Sequence, residues 1–117
     1  MSEWRRWSPV DVERHLRDCL NTLTRKMVDL EQLEKEASDA EVEYKVAVAK
    51  AQLTSERKSV EDRKADAIVK CEPLYRNAMV KGAVRDACRE SVRAQRDILG
   101  AIQSVGALVR AESELAR

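Results

Sequence analysis

The sequence predicts an all-α fold: a long helical hairpin with heptad seams, assembling as a helical homo-oligomer. Three observations predict it. Only 3 Gly and 2 Pro occur in 117 residues, far too few to punctuate a many-stranded β protein, which needs turn signals every ~8–12 residues. The bulk of the chain is Ala, Leu, Val, Glu, Lys and Arg, with 37% charged residues and no Phe, the composition of long helices and coiled coils. Apolar residues recur in alternating steps of three and four, the spacing of a helical seam.

The elements follow in order. Residues 1–8 form an arm, Trp4-Arg5-Arg6-Trp7 followed by Ser8, and residues 9–117 a single helical domain. Ser8 can cap a helix, Pro9 suits its first position, and Asp11 and Glu13 meet the positive end of its dipole. Leu16, Leu20, Leu23, Met27 and Leu30 then mark a seam. Leu33, Ala37, Ala40, Tyr44, Ala47 and Ala51 continue it after a phase shift at Leu30–Leu33, like a stammer in a coiled coil. Ser38 with Glu41 resembles a capping box. The expectation is one helix over 9–53, with a break near 37–40 left open.

A turn is expected at 54–58 and a second helix at 59–72, with Ser59 as cap and Glu61 and Asp62 in its first turn. Pro73 either stops or kinks this helix, because it lacks a donor, or opens the next one after Cys71 or Glu72. The final helix spans 74–115. Val84, Cys88, Ser91, Gln95, Ile98, Ile102, Val105 and Val109 give it a regular seam, with Ser91 and Gln95 as polar register devices. Gly100 and Gly106 permit close helix approach. Val84, Cys88, Ile98, Ile102, Val105 and Val109 are the expected oligomerisation residues. Leu, Ile and Val total 26 and Ala 15, so a monomer core would be thin and self-association is expected.

Enzyme chemistry finds little footing. There is one histidine, His15, expected to be structural or solvated. The three glycines are scattered, so no phosphate-cradling loop exists, and no cofactor or metal is expected. Cys19, Cys71 and Cys88 lack metal-site spacing and read as reduced thiols in a cytoplasmic protein. Glu31, Glu34, Asp39 and Glu41 form a solvated acidic face. No apolar run spans a membrane and no signal-peptide core follows Arg5 and Arg6.

Charge is distributed unevenly. Residues 1–44 carry −4, residues 45–74 carry +2, and residues 75–117 carry +3. Lys45, Lys50, Arg57, Lys58, Arg63, Lys64 and Lys70 cluster around the expected hairpin tip. Rows of cations suit phosphate backbones, because each neutralised phosphate releases counterions. Arg85, Arg89, Arg93 and Arg96 make a second stripe, open to two readings: a nucleic-acid surface, or local pairing with Asp86, Glu90 and Asp97. Trp4 and Trp7 can stack on bases, fold back onto the first helix, or anchor at a membrane surface.

Residues 41–115 carry a resemblance. Glu43-Tyr44-Lys45-Val46-Ala47-Val48-Ala49-Lys50-Ala51-Gln52-Leu53 runs into a polar turn. Arg57-Lys58-Ser59-Val60-Glu61-Asp62-Arg63-Lys64-Ala65 follows, and Ile102-Gln103-Ser104-Val105-Gly106-Ala107-Leu108-Val109-Arg110 closes the last helix. This order resembles the UvsY-like recombination mediators of bacteriophages over about two-thirds of the chain, through the Ala-Lys-Ala-x-Leu stretch and the Ile-x-Ser close.

The resemblance implies a helical, ring-like homo-oligomer in the host cytoplasm. It implies binding of single-stranded DNA and help for a RecA-like recombinase displacing a single-strand-binding protein. It places a DNA-binding cation at Lys50. Where the family pattern has a second basic residue two places on, this chain has Gln52, leaving Lys45, Arg57, Lys58, Arg63 and Lys64 to compensate. The competing expectation is a structural coiled-coil assembly or scaffold protein without nucleic-acid binding.

Overall fold

The computed structural model describes residues 6–116. They form three helices, α1 (Pro9–Thr54), α2 (Val60–Lys70) and α3 (Glu72–Leu115), with no strand among them. Trp4 and Arg5 lie outside the described residues. The chain divides into two compact units: residues 1–29 with 89–117, and residues 30–88.

Local chemistry sets the helix starts. The Ser8 N–H and hydroxyl both donate to Asp11 Oδ2, at 2.9 and 3.0 Å, and the Asp11 N–H returns a bond to Ser8 Oγ at 3.3 Å. This reciprocal box satisfies otherwise orphaned donors of the first turn. These Ser8 bonds, the backbone one foremost, hold the Asp11 carboxyl below its ordinary range. Ser59 caps α2 by accepting from the Asp62 N–H at 3.0 Å.

The second helix ends at Lys70, not 72, and α3 begins at Glu72, not 74; of the two readings of Pro73 the structure shows the second, a proline in the first turn of the next helix. A proline there forfeits nothing, because first-turn N–H groups have no intrahelical acceptor. The open break near Ser38 does not occur. The α1 helix runs through it, with Ala37 and Ala40 buried and Ser38 exposed.

In the first unit, α1 and α3 run antiparallel. A Cβ built at Gly106 would stand 2.9 Å from Val12 Cγ1, and Gln95 meets Cys19 and Lys26. Val12, Cys19, Leu23, Val92 and Val109 are buried here. The expected phase shift in α1 is absent. The covered residues are Leu16, Cys19, Leu23, Lys26, Leu30 and Leu33, in unbroken steps of three and four, while Leu20 and Met27 are exposed. Lys26 can hold a seam position because its apolar stem packs while its ammonium reaches Gln95 Oε1 at 3.2 Å.

The second unit packs residues 30–54 of α1 against α2 and the start of α3. Lys81 pairs with Glu36 at 3.7 Å, and the Tyr44 and Tyr75 rings meet at 5.4 Å in a tilted contact. Ala37, Ala40, Ala67 and Cys71 supply the buried surface.

The expected α3 seam proves to be two lines. Cys88, Gln95, Ile102 and Val109 recur every seven residues on the covered side, Gln95 and Val109 buried. Val84 and Ile98 are exposed instead, in line with the half-buried Ser91 and Val105. The covered side is completed by Arg85, Val92, Leu99 and Gly106. Alternating steps of four and three had merged one position from each of two adjacent stripes.

Candidate nucleic-acid interface

The cations named from the sequence gather around the loop 55–59 of the second unit, where α1 hands over to α2. Thr54 closes α1 by donating its hydroxyl to the Lys50 carbonyl at 3.0 Å. Ser55 is buried despite being polar. Its hydroxyl donates to Asp66 Oδ2 at 3.1 Å and accepts the Arg57 N–H at 3.2 Å. Lys70 Nζ reaches the same Asp66 oxygen at 3.1 Å. The bonds from Lys70 and Ser55 hold the Asp66 carboxyl below its ordinary range. Arg63 Nε donates to the Arg57 carbonyl at 2.6 Å. The loop is therefore tied to α2 at both Asp66 and Arg63, a fixed platform for its outward side chains.

The six predicted binding residues fall into two groups. Lys45 pairs with Glu41 at 3.0 Å, a solvated i,i+4 pair, and Arg63 has its Nε committed to the loop backbone. Lys50, Arg57, Lys58 and Lys64 are exposed and join no described carboxylate in an ion pair, although the Arg57 charge helps hold the Asp66 carboxyl down. They do not converge on one pocket. Arg57 lines a polar cleft with Thr54, Glu56, Asp66 and Lys70. Lys50 lines a separate groove with Val42, Val46, Ala47 and Leu74 and the acidic Asp39 and Glu43. Cations spread over separate clefts and open surface suit an extended polyanion better than a small anionic ligand.

The arginine stripe of α3 behaves differently. Arg85 pairs with Asp86 at 3.0 Å and Arg93 with Glu90 at 2.6 Å. Local pairing, one of the two readings of this stripe, accounts for both. Trp7 folds back onto α1, its ring stacked on His15 with centroids 3.9 Å apart and planes at 15°. That contact occupies one face of the indole and of the only imidazole. Among the described residues no three His, Cys, Asp or Glu side chains come together as a metal site, and no helix is long and apolar enough to cross a membrane.

Sequence reasoning missed the Ser55–Asp66 tie. Its signal was present: a serine directly after the helix end, followed by Asp66 and Lys70 at i,i+4 spacing. What periodicity does not reveal is that α2 turns this pair toward the loop.

No family model matches the chain, and no curated protein and no solved structure matches it.

Proposed function

We propose that this chain is a non-enzymatic, single-stranded-DNA-binding mediator that helps load a RecA-like recombinase, working as a homo-oligomer. The observation that carries the reading is the group Lys50, Arg57, Lys58 and Lys64. Four exposed cations, none in an ion pair with a described carboxylate, lie on or beside a loop held by its own hydrogen bonds. Such groups gain by meeting phosphates, because counterion release favours contact and no local ion pair must first be broken. No base-reading groove is built by these residues, so binding is sequence-independent. Repetition of the surface around an oligomer multiplies weak contacts. The role in loading a recombinase extends the resemblance of residues 41–115 to the mediator family.

The test is fluorescence anisotropy with single- and double-stranded oligonucleotides at several salt concentrations. Single strands are expected to bind, with a log–log salt slope that flattens by roughly 0.7 for each phosphate contact removed. Lys50→Ala with Lys58→Ala should weaken binding and leave helicity unchanged, since such surface changes stay within about 0.5 kcal/mol. Unchanged affinity and slope in that variant would reject the loop as the DNA site.

A second reading, a helical scaffold without nucleic acid, is favoured by a different observation. In the second unit Leu53, Val60 and Val69 are all more than two-thirds exposed, apolar side chains open to a partner helix. Salt-insensitive anisotropy, with no single-strand binding at low salt, would select it.

A further inference from the structure

Along α3 in the first unit, Ser91, Ala94, Ile98, Ala101, Val105 and Leu108 follow one another in steps of three and four. They lie one residue before the positions that pack on α1. Ala94, Ala101, Ile98 and Leu108 are exposed, the last two by 49% and 51%, and Ser91 and Val105 are half-buried. This is a complete second heptad stripe, and the described residues leave four of its six positions exposed.

We infer that this stripe is the seat of a second copy of the chain, its α3 packed antiparallel with Ile98 facing the partner's Ala101, Val105 the partner's Ala94, and Leu108 the partner's Ser91.

The size pattern selects both the occupant and the direction. In an antiparallel pair, the first apolar position of each heptad packs against the second of its partner. That register sets every large side chain of this stripe against a small one. A two-fold axis between Leu99 and Gly100 repeats the arrangement on both sides, as an isologous interface requires. An in-register parallel pair would instead put Ile98 on Ile98 and Ala101 on Ala101. Layers too wide and too narrow would then alternate, leaving gaps that close-packed interfaces avoid. Asp97 and Glu90 flank the stripe, and the antiparallel register faces them with Ser104 and Ala111 of the second chain, so no like charges oppose.

The chain also lacks what would make the stripe superfluous. No large side chain is fully buried among the described residues, and the buried apolar set consists of Val, Leu, Ala and Cys. Two thin antiparallel helices gain their missing burial by pairing with a second such pair.

This deepens the homo-oligomer part of the proposed function and rests on it, while being independent of DNA. The experiment separates the two. Ala94→Cys and Val105→Cys are made singly in a Cys88→Ser background, with that background as control for Cys19 and Cys71. Helicity is checked by circular dichroism. Each is oxidised alone and mixed, and size is measured by sedimentation. In the antiparallel register, position 94 lies beside position 105 of the second chain and about 16 Å along the axis from that chain's own position 94. Disulfides need Cα atoms within about 7 Å. The expected result is a cross-linked dimer in the mixture, at least ten-fold above either variant alone. Self-linking of each variant alone would mean parallel packing and overturn the proposal. An oligomer that cross-links in neither case would overturn this register and leave homo-oligomerisation standing. A wild-type monomer at tens of micromolar would overturn both.

Discussion

Gly106→Ala and Gly100→Ala make the same chemical change on the same helix and should shift stability in opposite directions. Replacing glycine by alanine inside a helix gains about 0.5–1 kcal/mol by restricting the unfolded chain. At Gly100 nothing lies within 4 Å of the new methyl, so the gain is realised. At Gly106 the methyl would arrive 2.9 Å from Val12 Cγ1, where ordinary contact begins near 3.4 Å. Val12 must retreat by about half an ångström, and it is only 7% exposed. A valine in a helix has one strongly favoured χ1 well, so the retreat moves backbone or leaves the rotamer. Overpacking of this kind costs about 1–3 kcal/mol. The net is a loss of roughly 0.5–2 kcal/mol at Gly106 against a gain at Gly100. Near 4 °C per kcal/mol, the two midpoints should separate by roughly 4–12 °C. Thermal melts by circular dichroism at one matched protein concentration measure this, matching being needed because assembly shifts apparent stability. If Gly106→Ala melts at or above Gly100→Ala, α1 and α3 do not meet at Val12 and Gly106.

The other predictions concern the polar contacts. Gln95, 8% exposed, donates to Cys19 Sγ at 3.1 Å and accepts from Lys26 at 3.2 Å. Gln95→Ala should cost about 2–3 kcal/mol, chiefly by leaving a gap. Gln95→Met, close in volume, should cost under about 1.5 kcal/mol; equal urea midpoints for the two would refute this. Asp11 and Asp66 are held below the ordinary carboxylate value in the folded chain, so the unfolded chain binds more protons as the solution acidifies. The stability they contribute is full above the ordinary aspartate value and drains away as pH falls through it to the lowered folded values. Urea midpoints between pH 6 and pH 3 should therefore fall less steeply for Asp11→Asn and Asp66→Asn than for the wild type. Arg93→Ala, which removes a surface pair with Glu90, should shift stability by under about 1 kcal/mol.

The helical class and the chemistry of each helix start were legible because they rest on local signals. Ser8, Asp11 and Ser59 act within one turn of themselves. The seam's phase was not legible wherever apolarity misled. Leu20 and Met27 look better suited to a buried stripe than Cys19 and Lys26, yet the latter pair is covered. A lysine can be covered when its head reaches a glutamine on the facing helix, and no local pattern shows that glutamine. On α3, two adjacent stripes are both apolar enough to be the inner one, so periodicity read a blend of them. Among the cations, charge and spacing found the loop. Which of them were already engaged depended on Glu41 and on the Arg57 carbonyl, whose orientation only the fold settles.

Cys71 is the whole connection between α2 and α3. Its N–H closes α2 on the Ala67 carbonyl at 3.0 Å, and its carbonyl accepts the Tyr75 N–H of α3 at 3.0 Å. One buried residue thus serves as the last cap and the first, with no slack in between. A single extra residue inserted there would turn α3 by about 100°. Within the second unit each covered position of α3 would then be taken by its exposed predecessor: Ala78 by Asn77, Lys81 by Val80, Arg85 by Val84, Cys88 by Ala87. A one-residue change of length at this point exchanges the covered face of this stretch of α3 for its outer one. The loop 55–59 has no such leverage over α3 so long as α2 stays docked through Asp66, so length variation is tolerable there and decisive at Cys71. The junction works as a reading frame for the helix that follows it.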